Sequence, residues 1–236
     1  MTSTLSNTKV GSETLTLRSE AESVEVPSET RLLLNGISWD TYERLLAETG
    51  ENRNQRFAYC DGCLEIMEPL VGHEEPTRLL DNFVAVFVDE LELELRSLGS
   101  LTMKKPDQRK GLEPDCCFYI QNEATVRGVD ALDFDINPPP DLVVEVDNSH
   151  GSLSKFPIYV ALKIPEIWRL QRGVLTIFLL NDAGEDYEKS DRSPTFPKLP
   201  IQELPNYIDR AKVIGQRSAV RELAKRVRQI LAEGAR

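Results

Sequence analysis

The 236-residue chain sets 28 Lys and Arg against 39 Asp and Glu, for a net charge of −11 at pH 7. That balance excludes binding to a polyanion by bulk charge alone, although it leaves a locally basic site open. The chain has 40% hydrophobic residues, enough for a sizeable core, and no apolar run long enough to cross a bilayer.

The N-terminus has no basic segment followed by an apolar core, so a cytoplasmic location without a membrane partner is expected. Residues 1–28 are rich in Ser, Thr and Glu and predict a flexible tail, with residues 29–236 as a single domain. Arg31–Leu34 suit a short strand, and Ser38 caps a helix through about Ala47. Arg56–Cys60 and Cys63–Met67 flank Asp61-Gly62, a strong signal for an N-terminal hairpin. A long helix is predicted from about His73 to Leu98, with Leu80, Phe83, Val84, Phe87 and Leu91 as its buried stripe. A strand near Leu101–Lys104, a basic loop carrying Lys104, Lys105, Arg109 and Lys110, and a strand from about Pro114 to Ile120 follow.

Residues 121–140 form a polar, Pro-rich connection into Leu142-Val143-Val144-Glu145-Val146-Asp147, which has the apolar density of a central strand. Ser154 is the expected N-cap of a short helix that tolerates Pro157 in its first turn and is ended near Lys163 by Pro165. Glu166–Leu170 and Val174–Leu180 form a second hairpin, with Tyr187 on a third strand. An amphipathic C-terminal helix runs from about Ser218 to Ala232. Val220, Leu223, Val227, Ile230 and Leu231 line one side, and Arg217, Arg221, Lys225 and Arg228 form a solvated face. Mixed strands and helices predict an α/β (α+β) architecture, a mixed sheet flanked by helices.

The cysteines raise the question of zinc. Cys60 and Cys63 form a CxxC, but Cys116 and Cys117 are adjacent and, on a strand, point to opposite faces. They read as small core residues.

Glu145 is the anomaly, because a carboxylate inside an apolar strand must find a cation or stay protonated. Asp115, on the preceding strand, meets it over one face of the sheet if the two strands are neighbours. Two close carboxylates suit a hard divalent ion. Lys155 follows at the start of the next helix and can return to the strand end. Asp, Glu, metal and Lys suit phosphodiester hydrolysis. An ion pair between Glu145 and Lys155 or an arginine is the plain alternative. His73, on the buried stripe, is either a hydrogen-bonded core group or an extra ligand or acid/base. Glu74 has the same two readings.

The segments YCDGCLEIM, KGLEPDCCFYI, PPPDLVVEVDNS, SLSKFPIYVALKIPEIWRL and TFPKLP, in that order, resemble the Uma-two family of bacterial endonucleases, within the PD-(D/E)xK restriction-endonuclease-like superfamily. The likeness implies a restriction-endonuclease-like fold and a Mg2+-dependent DNA endonuclease, with Mn2+ as a substitute. It implies Asp115, Glu145, Lys155, His73 and Glu74 as catalytic residues, and Asp115, Glu145 and Val146 as contacts to the metal. It also implies a homodimer, which cutting both strands of a duplex would require. The lysine expected two positions after the acid is missing: Asp147 stands there, and Lys155 takes its role. Lys163-Ile164, Asn148 and His150 also depart from the family pattern. Two alternatives stay open: a catalytically silent nucleic-acid-binding or oligomerisation module, and a hydrolase of RNA or another phosphoester.

Overall fold

The computed structural model describes residues 29–50, 53–147 and 153–234. The predicted N-terminal tail, Asn148 and His150 lie outside them. Among the described residues no helix is long and apolar enough to cross a membrane.

Strand β1 (Glu29–Asn35) leads to helix α1 (Trp39–Thr49), where the Ser38 hydroxyl accepts the Thr41 N–H as the predicted cap. Strands β2 (Arg56–Cys60) and β3 (Cys63–Pro69) form the expected hairpin. Its turn residues, Asp61 and Gly62, have φ of 48° and 90°, the two positive values that a two-residue hairpin turn demands.

Helix α2 (Val71–Glu90) is shorter at its end than predicted. Leu91-Glu92-Leu93-Glu94-Leu95 exchanges helical spacing for strict alternation, and Glu92 turns left-handed at φ 53°. The chain then enters strand β4 (Arg96–Ser97). The basic loop also differs, because it folds into strands β5 (Met103–Lys105) and β6 (Lys110–Leu112) around a 3-10 turn at Pro106–Gln108. The single predicted sheet is therefore two. The first is antiparallel and five-stranded, ordered β1-β3-β2-β6-β5.

Strand β7 (Cys116–Tyr119), a short helix α3 (Glu123–Val126) and strand β8 (Leu142–Val146) follow. Helix α4 (Phe156–Leu162) begins after Lys155, not after Ser154: Lys155 has the N-cap position and its side chain makes no capping bond. Strands β9 (Glu166–Gln171), β10 (Val174–Leu180) and β11 (Tyr187–Ser190) complete a mixed six-stranded sheet, ordered β11-β10-β9-β8-β7-β4. Its one parallel pair is β8 with β9, joined through α4. Helix α5 (Leu204–Ile214) is not anticipated in the sequence reading; Pro205 in its first turn and Gly215 at its C-cap with φ 86° are its punctuation. Helix α6 (Gln216–Gly234) closes the described chain.

Alternation on β7 and β8 sorts the interior into two layers. Cys116, Phe118, Val144 and Val146 face one way and pack with α2, α5 and α6. Cys117 and Val143 face the other way and pack with α4 and with Met103 and Leu112 of the five-stranded sheet. The adjacent thiols thus enter opposite layers, both buried. A third cluster, Tyr42, Phe57, Tyr59 and Leu64, seats α1 on the five-stranded sheet.

Candidate active site

Strands β7 and β8 pair antiparallel with Cys116 opposite Val144 and Cys117 opposite Val143. Continued by one residue, that register sets Asp115 opposite Glu145, where β7 begins and β8 ends. Both carboxylates are buried, at 2% and 6% exposure. The Val146 N–H donates to Asp115 Oδ2 at 2.6 Å, and Arg56 donates to Oδ1. Lys155 Nζ donates to Glu145 Oε2 at 2.7 Å, and the Tyr159 hydroxyl donates to Oε1. Lys155 and Tyr159 stand one helical turn apart, so both reach the same carboxylate from the start of α4.

These partners determine the charges. Burial favours the neutral form of Asp115, but His73, Arg56 and Lys155 outweigh it and hold the carboxyl well below its usual range. Glu145 moves the other way: burial and the Asp115 charge push it up against the Lys155 ammonium. Burial opposes the charge on Lys155 too, yet Glu145 and Asp115 raise it and keep it protonated. The Tyr159 phenol, buried beside Glu145, is pushed far above its ordinary value and acts as a donor only. Two neighbouring acids thus have unlike environments: Asp115 is firmly ionised, while Glu145 depends on one lysine.

His73 is completely buried. Its Nε2 lies 3.2 Å from Asp115 Oδ2 and 3.7 Å from Glu29 Oε2, but neither ring nitrogen nor Glu29 Oε2 has an aligned hydrogen bond. The short approach to Asp115 nonetheless couples the two groups through both contact and charge. Burial lowers the imidazole's proton affinity, the Asp115 carboxylate outweighs that effect, and the net shift is upward. Glu74 is a third exposed and reaches Asp115 only through Arg56, whose Nη2 donates to Glu74 Oε1 at 2.9 Å. Val146 holds Asp115 by its backbone N–H while its side chain packs in the α2 layer.

A cleft of about 220 Å3 opens over Glu145, lined among others by Arg31, Asp147, Lys155, Tyr159 and Arg169. Asp115, His73 and Glu74 do not line it. Arg31 is tied to Glu65 at 2.6 Å, Glu29 at 3.1 Å and Asp147 at 3.5 Å. Asp147, where the family pattern leads one to expect lysine, is held by Arg31 and, at 3.4 Å, by Gln171. The basic cluster is elsewhere: Lys104 pairs with Glu43 at 2.9 Å, Lys105 with Asp135 at 2.5 Å, and neither borders the cleft. Among the described residues, no group of three or more His, Cys, Asp and Glu is arranged to hold a metal ion.

Arg56, Tyr159, Arg31 and Arg169 are the site residues that sequence reasoning misses. Two carry a signal. Tyr159 follows Lys155 at helical spacing, and Arg56 opens an apolar strand, which asks for a buried counter-charge as Glu145 does. Arg31 and Arg169 reach the cleft only through pairing that the sequence does not spell out.

Residues 39–208 match the model of the Uma2 family, described as "Putative restriction endonuclease". That span includes His73, Glu74, Asp115, Glu145 and Lys155. A solved structure described as "a putative nuclease belonging to DUF820", from Anabaena variabilis, is 16% identical, covering 73% of this chain and 99% of that one at a TM-score of 0.48. No curated protein matches.

Proposed function

The chain belongs to the Uma2 family of restriction-endonuclease-type proteins, and from that premise we propose that it hydrolyses phosphodiester bonds in DNA with the help of a divalent metal, Mg2+ or in its place Mn2+. The observation that carries this reading is the meeting of Asp115 and Glu145 at adjoining strand ends, with the Lys155 ammonium 2.7 Å from Glu145. The donor chemistry fits a hard cation, which asks for one or two carboxylates and takes the rest of its shell from water and phosphate. Arg56 and Lys155 supply the counter-charge to the two acids, and both stand on long flexible stems. Asp115 and Glu145 would hold the ion, with Val146 contributing through its main chain. When bound, it would supply an acidified water and a partner for phosphoryl charge.

The chain's own residues do the rest. The Val146 N–H and Arg56 fix the Asp115 carboxylate, and Tyr159 fixes Glu145. Lys155, which reaches Glu145 from the start of α4, would stabilise charge on the phosphoryl oxygens or hold the attacking water. His73 and Glu74 act on Asp115 and Arg56, so they are positioning groups in this scheme. Homodimers would present two such sites to the two strands of a duplex. A silent nucleic-acid-binding module is the second reading, favoured by the complete occupation of both carboxylates by donors from this chain.

Plasmid nicking in Mg2+, in Mn2+ and in EDTA separates the two readings. Cleavage that needs the cation and disappears in Asp115→Asn and Glu145→Gln is the expected result. Retained DNA binding without cleavage in any metal would leave the silent module. Cleavage of RNA with DNA intact would change the substrate.

A further inference from the structure

We infer that Arg169 is the phosphate-gripping residue of the cleft, a contact to the nucleic-acid backbone beside Glu145. The inference rests on the nuclease reading for its substrate class and on independent geometry for the residue.

Strands β8 and β9 pair in parallel with Glu145 opposite Arg169. Partners in such a pair point to the same face and stand one strand spacing apart, about 4.8 Å. Glu145 and Arg169 both line the cleft. The five charged residues of the lining are Arg31, Lys155 and Arg169 against Glu145 and Asp147. Arg31 is bound to three carboxylates and Lys155 to one. Arg169 makes no ion pair or hydrogen bond among the described residues. Its guanidinium instead lies over two aromatic rings, 5.4 Å from the centroid of Phe156 and 4.9 Å from that of Phe178. The rings themselves are in contact, with centroids 4.9 Å apart.

This is how a cation is held in place without using its donors. The faces of Phe156 and Phe178 attract the charge and restrict the side chain, leaving the N–H groups for a ligand. A guanidinium presents those donors as a planar fork that matches two oxygens of a phosphate. Phe156 also begins α4 immediately after Lys155, so one short segment positions both the lysine on Glu145 and the ring under Arg169. Among the described residues of the lining, Arg169 is the cation that a substrate phosphate would meet without an ion pair.

The test is binding of a fluorescein-labelled DNA oligonucleotide in EDTA, where no turnover occurs, by wild type, Arg169→Met and Arg169→Lys over a range of salt. Methionine keeps an apolar stem on the two rings and loses the fork. The expected result is about tenfold weaker binding for Arg169→Met, the size of one charged hydrogen bond. The slope of log affinity against log salt should fall by about one. Arg169→Lys should recover the slope, because it restores the charge. A clamp with a purely structural role would change melting temperature and leave the slope alone. Equal affinity and slope in wild type and Arg169→Met would overturn this inference while leaving the cleavage assay to decide the nuclease reading. A changed slope without cleavage in any metal would uphold Arg169 and overturn the nuclease. Failure of the wild type to bind at low salt would overturn the Arg169 inference and leave the cleavage assay to decide the nuclease reading.

Discussion

Lys155 neutralises a carboxylate that the strand has already taken out of water, so its loss should be felt in stability as well as in chemistry. Removing one partner of a buried pair costs about 3–5 kcal/mol, because the other charge remains. Lys155→Ala should therefore lower the urea midpoint, and Mg2+ should restore more stability to this variant than to wild type, since the cation would replace the missing charge. Turnover should fall even in saturating Mg2+, and calorimetric affinity for the ion should not weaken. A variant as stable as wild type, with no added response to Mg2+, would contradict the pairing described. Lys155→Arg should restore little turnover, because a planar fork does not reproduce a compact point charge. Away from this site, Cys117 gives a pH dependence with a definite sign. Burial pushes its thiol from an ordinary 9.0 up to about 12. The unfolded chain then loses the proton near pH 9 while the native chain keeps it to about pH 12. Its contribution to stability is complete below pH 9 and is lost as pH rises through that window, by up to about 1.4 kcal/mol per pH unit. Cys117→Ala should flatten the fall in urea midpoint between pH 9 and 10, where an ordinary thiol loses its proton ahead of an ordinary tyrosine. An unchanged slope would assign that fall to other groups.

Helix α6 shows how an element's partner is decided by packing. Ala219, Val220, Leu223 and Val227 are buried against α2 and α5, so most of the apolar side read from the sequence is covered within the chain, while Ile230 and Leu231 are half-buried. Leu223→Ala should cost about 2–5 kcal/mol in urea unfolding and leave the mass by light scattering unchanged. A shift in mass instead would place Leu223 between copies. The same contrast explains what is legible in the sequence. The first hairpin is readable because Asp61-Gly62 announces itself locally, with positive φ at both residues; the second turns at Arg172-Gly173, also with positive φ at both. Strand β8 and its glutamate are readable because an acid inside Leu-Val-Val-Glu-Val breaks a pattern. The end of α2 is misplaced because leucines at alternating positions still supply helix-compatible apolar residues, and only Glu92, in the left-handed region, stops the turn. Strand β6 is hidden in a basic loop, since its pairing to β2 is non-local and its charge suggests solvent. In the site, Asp115, Glu145 and Lys155 belong to one run of chain order, whereas Arg56 and Arg31 come from the other sheet. Long-range ion pairs leave no spacing to read.

At the scale of the whole molecule, the −11 net charge and a nucleic-acid substrate are compatible only if basic side chains are concentrated on the right face. Two faces compete. The cleft lies on the α4 side of the six-stranded sheet, and α6 packs on the opposite side. Basic residues on α6 are largely employed locally: Arg228 pairs with Glu90 at 2.6 Å, Arg221 bonds Ser218 at 2.9 Å, and Arg217 bonds Asn82 at 3.1 Å. Exposed charges of this kind contribute little to stability, so they can be removed without unfolding the chain. A triple variant, Arg217→Ser, Arg221→Ser and Lys225→Ser, lowers the positive charge by three without touching the cleft. If binding were driven by overall charge or by the α6 face, its salt slope would fall by about three, one for each phosphate that the variant no longer neutralises. If the cleft binds, affinity should stay within about twofold of wild type and the slope should not move, while Arg169→Met alone lowers both. Fluorescence anisotropy of the same oligonucleotide on the two variants decides it. A weakened triple variant beside an unaffected Arg169→Met would transfer the nucleic-acid surface to α6 and leave the cleft without its proposed ligand.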